Sequence, residues 1–120
     1  MDTYSFSTNA SNDKYVDVVS NYYEALNKKD YHGAYRYLSA RAMERYGTFE
    51  LWEQAMTKDE VPKVKAIQLN YVSQDQDDDI VVNYMGFTVT FEDNLEPLLV
   101  RLHNEGKGWG IVAIEAAEED

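Results

Sequence analysis

The feature that most constrains this chain is a change of hydrophobic period at Pro62. Before it, apolar residues recur three and four positions apart, as on a helix face. After it they alternate, as on a strand. Residues 14–28 place Tyr15, Val19, Tyr22, Tyr23 and Leu26 on one side of a predicted helix. Asp13 stands where a side-chain oxygen caps the free amides of a first turn, and the polar run Asn27-Lys28-Lys29 ends the helix. Asp30 caps a second helix carrying Tyr31, Ala34, Tyr35 and Leu38 at i, i+3, i+4 and i+7. Gly47 and Thr48 punctuate, and a third helix puts Phe49, Trp52 and Met56 on one face.

Beyond Pro62 the spacing predicts strands over 64–73, 80–91, 95–104 and 109–116. The links between them, 74–79, 92–94 and 105–108, are short enough for hairpins. Three helices followed by a four-stranded antiparallel meander make an α+β domain with its helices on one sheet face. The domain is expected over residues 13–116, between a polar, flexible linker at 1–12 and an acidic tail at 117–120.

Charge excludes several classes of partner. Twenty-two acidic and 11 basic side chains give a net charge of -11. The cations are scattered, as Lys28 and Lys29, Arg41 and Arg45, Lys63 and Lys65. A nucleic-acid surface needs them clustered, so no nucleic-acid partner is expected, and no anionic membrane surface. No apolar run is long enough to span a bilayer. Cysteine is absent, which removes disulfides and thiol ligands. The Asp75, Asp77, Asp78, Asp79 run begins like a calcium loop. Ile80 then stands where that loop needs glycine, and Gly86 where it needs a bidentate Glu. No other metal-ligand spacing and no phosphate-cradling glycine loop precedes a helix, so no metal or cofactor is expected. The opening MDTYSFSTNASND is not a signal peptide. An extracytoplasmic setting, with a signal or anchor upstream, is expected in preference to a cytoplasmic one.

The run YYEALNKKDYHGAYRYLS, an aromatic helix, a Lys-Lys-Asp link and a second helix ending in Leu-Ser, resembles the opening of nuclear transport factor two-like (SnoaL-like, cystatin-like) domains. The closing GWGIVAIE is similar to their last strand. The resemblance covers roughly residues 13–116 and is greatest to small extracytoplasmic bacterial members. It implies a cone, in which a strongly curved sheet wraps the helices around a pocket. Members include isomerases, dehydratases, cyclases, binding modules and dimerisation domains, so the likeness implies a fold and no single activity.

Enzymes of that superfamily resemble one another in burying an acid–base pair inside the cone, where burial tunes it toward neutral pH. Only two histidines exist here. His32 is expected in solvent, and His103 shares strand parity with Arg101, away from the core face of Leu98, Val100 and Leu102. The inward set of the longest strand holds Val81, Asn83, Met85, Phe87, Val89 and Phe91, with no acid or base. Ile67, Leu69 and Tyr71 are expected inward on the first strand. A bulge at Gly86 would reverse the faces of the longest strand beyond it.

Six of the ten tyrosines fall within residues 22–46. Either they fill the core, or Tyr22, Tyr35, Trp52, Tyr71, Asn83 and Phe87 edge a pocket for a small, mostly apolar molecule. Tyr84, Thr88 and Leu99, with Trp109 or Ile111, would remain on the opposite sheet face and form a homodimer surface. The net charge opposes that pairing except where salt screens it. A non-catalytic binding or interaction module is thus the expected function. An isomerase-, dehydratase- or cyclase-type enzyme and an accessory domain of a larger cell-wall protein are the alternatives.

Overall fold

Four helices rather than three precede the sheet. The computed structural model describes residues 10–58, 60–77, 80–93, 95–104 and 109–117. Helix α1 spans Ala10–Asn27, α2 Tyr31–Tyr35, α3 Ala40–Tyr46 and α4 Phe49–Thr57. Strand β1 spans Val64–Asp77, β2 Ile80–Phe91, β3 Leu98–Asn104 and β4 Trp109–Ala116. Because α1 starts at Ala10, residues 10–12 are helical and Asp13 lies inside the helix, not at its cap. The remainder of the expected linker, residues 1–9, and the acidic residues 118–120 lie outside the described residues. So do the tip Asp78–Asp79 of the acidic run and the 105–108 link.

Helix α1 ends in a closed turn. Asp30 N–H donates to Ala25 O at 2.8 Å and Lys29 N–H to Leu26 O at 3.0 Å, with Lys29 in the left-handed region at φ 62°. The Asp30 carboxylate then caps α2, accepting from Gly33 N–H at 3.0 Å. The second helix stops at Tyr35 because residues 37–39 turn aside to pair with β4. Ile111 N–H donates to Tyr37 O, and Ser39 N–H to Ile111 O, both at 2.9 Å. Leu38 forms an isolated parallel bridge with Ile111. Buried Ser39 next caps α3, accepting from Ala42 N–H at 3.2 Å. A strong cap and a sheet-edge partner therefore split what the apolar spacing reads as one helix. The approach needs a glycine opposite: a Cβ on Gly110 would stand 2.8 Å from Ser39 Cα.

The sheet is an open antiparallel meander, β1-β2-β3-β4. Its helix-covered face carries Ile67, Met85, Phe87, Val89, Phe91, Val100, Leu102 and Ile111, all buried. Against them pack Val19, Tyr22, Tyr23 and Leu26 of α1, with Ala34, Leu38, Ala42 and Trp52. The predicted helical stripe of α1 is thus the stripe that is buried. Trp109 and Ile111 also belong to this side. Trp109 stacks at 5.0 Å on Tyr15 and Ile111 is 1% exposed, so neither remains on the opposite face.

No bulge forms at Gly86, and β2 keeps its alternation through it; the faces reverse on β1 instead. Leu69 pairs with Phe87 and Tyr71 with Gly86, leaving Asn70 as the extra residue of a bulge. The Asn70 amide donates to Thr88 Oγ1 at 2.8 Å, which occupies the displaced side chain. Ile67 and Leu69 pack with the core as expected. Tyr71 is carried to the other face, where its ring covers Gly86, and a Cβ there would collide with that ring. Beyond the bulge, β1 continues to Asp77, four residues past the expected end.

Gly86→Ala should therefore cost about 1–3 kcal/mol through overpacking. Most of that loss should vanish in a Tyr71→Ala background. Urea unfolding of the four chains measures the cycle, and an equal penalty in both backgrounds would contradict the ring-over-glycine contact.

Candidate functional site

Where α1 crosses the ends of β2, β3 and β4, the helices and sheet leave an apolar hollow of about 320 Å³. One turn of α1 supplies Tyr22, Tyr23 and Leu26, and the end of α3 supplies Tyr46. Helix α4 supplies Ala55 and Met56, and the following link Glu60, Val61 and Pro62. Phe91, Leu98 and Ile114 complete the wall from the sheet. The link is held in place from α1, since the Asn27 amide donates to Val61 O at 2.9 Å. Glu92 N–H donates to Lys63 O at 3.0 Å, tying the start of β1 to the end of β2. These bonds fix the mouth of the hollow without placing a polar side chain inside it.

Rings dominate the inner wall. Tyr22 and Tyr23 meet edge to face at 5.2 Å, and Tyr23 meets Phe91 at 5.6 Å. The Tyr22 hydroxyl donates a long bond to Met56 Sδ at 3.9 Å. Tyr22 and Tyr23 are 2% and 4% exposed, and burial pushes both phenols well above their ordinary range. For Tyr22 the neighbouring Tyr23 and Tyr46 phenols add to the shift. The nearby Trp52 indole offsets it in part, although the indole N–H makes no hydrogen bond among the described residues.

Of the six pocket residues expected from sequence, the structure brings Tyr22 to this hollow. Trp52 and Phe87 are fully buried and fill the core. Tyr35 packs its ring at 5.1 Å on both Phe49 and Trp52. Tyr71 is on the opposite face, as the bulge dictates. Asn83 keeps the helix-side parity of β2, but its amide oxygen accepts from Gln74 Nε2 at 2.8 Å in the outer hairpin. The other lining residues were not expected at a pocket: Tyr23, Leu26, Met56, Phe91 and Leu98 were read as apolar faces, and Tyr46, Ala55, Glu60, Val61, Pro62 and Ile114 were assigned to no face. Tyr46 falls off the predicted stripe and is 40% exposed, because it closes the rim rather than the centre.

The opposite sheet face does group Tyr84, Thr88 and Leu99, each half-buried. Thr88 pairs with Leu99 and Tyr84 with His103. Tyr71 and Arg101 share this face. Arg101 reaches Glu115 at 3.4 Å, and burial raises the Tyr71 phenol while Arg101 draws it back. His103 lies on this side too, yet it is 4% exposed rather than solvated, with its ring 6.0 Å from that of Tyr84. Leu102 and His103 are consecutive and both buried, so this end of β3 breaks the alternation. Among the described residues, no three acidic or histidine side chains gather closely enough to hold a metal ion.

The raised phenols set a pH dependence. Tyr22 and Tyr23 have the ordinary value of 10.0 when unfolded and a higher one when folded. Above pH 10 the unfolded chain has released protons that the folded chain keeps. Stability present in full below that pH is therefore lost as pH rises toward the folded values. Urea unfolding should weaken by about 1.4 kcal/mol per pH unit for each phenol in that window. Phenolate absorbance should show these two rings ionising last, together with unfolding. Ionisation of every tyrosine near pH 10 with the fold intact would contradict their burial.

Comparison with protein-family models, with curated protein sequences and with solved structures found no match to this chain.

Proposed function

We propose that this chain is a non-catalytic binding module that takes a small, mostly apolar molecule into the hollow between α1, α4 and the strand ends. The observation that carries the reading is the composition of the wall: rings, aliphatic side chains and Met56, with Glu60 as its one carboxylate and no imidazole among the described residues. A preformed concave site with few polar groups suits ligand capture. The resemblance to nuclear transport factor two-like cones, whose members include binding modules, supports the same reading. The acid–base alternative needs a buried proton-transfer pair in the hollow. Glu60 is exposed, and the buried histidine, His103, stands on the other sheet face, paired with Tyr84.

A probe of modest size such as indole should raise the melting midpoint in proportion to its affinity. Ile114, 36% exposed at the mouth, provides the control. Ile114→Trp should occupy the hollow and weaken indole binding by roughly tenfold or more while the fold is kept. Unchanged melting with indole and with other neutral apolar probes of that size would remove this reading, as would equal indole binding by the variant.

A further inference from the structure

We infer that the hollow is built for a cation: a small apolar molecule carrying an ammonium centre. This deepens the binding reading above and rests on it. Four rings border the hollow, those of Tyr22, Tyr23, Tyr46 and Phe91; Tyr46, 40% exposed where the others are at most 4%, offers the ring surface to which positive charge is drawn. Among the described residues the lining holds one ionisable group of either sign outside the phenols, Glu60, and no Lys, Arg or His. Glu60 makes no hydrogen bond or ion pair among the described residues. Lys29 and Lys58, which border the adjoining hollow that shares Glu60, leave it unpaired.

Three further facts act in the same direction. The Tyr22 and Tyr23 phenols, neutral at physiological pH and raised further by burial, add no fixed charge to the wall. The net charge of -11 concentrates cations near the surface and repels anions. An anionic ligand would have to leave water for a wall with no positive side chain, beside a carboxylate.

The test compares two probes of the same shape, phenyltrimethylammonium and tert-butylbenzene, by NMR titration of the full chain at low and high salt. The cation should bind roughly tenfold more tightly than its neutral counterpart. Glu60→Gln should narrow that gap several-fold while leaving tert-butylbenzene binding unchanged. Glu50→Gln removes the same charge from an exposed site on α4 outside the lining and should leave the gap in place. Equal or tighter binding of tert-butylbenzene would overturn the cation inference and leave the apolar-ligand reading intact. So would a Glu50→Gln effect as large as that of Glu60→Gln, which would assign the preference to net charge alone. Failure of both probes to perturb the Tyr46 and Ile114 resonances would overturn the ligand reading itself.

Discussion

The seam between α1 and the sheet is the contact on which the other elements depend. Val19, Tyr22, Tyr23 and Leu26 are each at most 4% exposed. Full burial of such side chains is worth roughly 1.5–3 kcal/mol apiece, and the ring pairs add about 0.5–1.5 kcal/mol each. This one helix packs against α2, β1 and β4, so its position decides where the short helices can lie. Its last turn also fixes the link to β1 through Asn27. Two bulky tyrosines side by side prop the strand ends away from α4. The hollow lies beside these rings, where Tyr22 reaches Met56 of α4 and Tyr23 meets Phe91.

Close backbone contacts complete the frame. Residues 37–39 reach the β4 edge because Gly110 leaves room for the Ser39 backbone. That contact ends α2, starts α3 and covers part of an otherwise open edge. Tyr71 settles over Gly86 by the same logic on the far face. In each case an absent Cβ admits a partner and so determines the local path of the chain.

Much of the architecture was legible in residue spacing. The apolar stripe of α1, the Asp30 and Thr48 signals and the four alternating segments all correspond to elements of the structure. The bulge at Asn70 was not legible, because an extra residue leaves the apolar residues on either side looking continuous. It cost the placement of Tyr71. The division of α2 from α3 was hidden for a related reason: Leu38 keeps helical spacing yet spends its backbone region on the sheet edge. The site was less legible than the fold. Tyr22 was found through the stripe, whereas Tyr46, Glu60 and Ile114 come from a helix end, a link and a strand end. Spacing within single elements carries no signal for surfaces assembled from the ends of several.

The account thus depends on an apolar hollow beside Tyr22 and Tyr23 that admits a small molecule. Xenon enters such voids without needing polar partners, and methyl NMR under xenon pressure locates it directly. The account predicts saturable shifts at Leu26, Met56, Leu98 and Ile114. Shifts absent from these methyls, or confined to Val82 and Val112 elsewhere in the sheet, would contradict it.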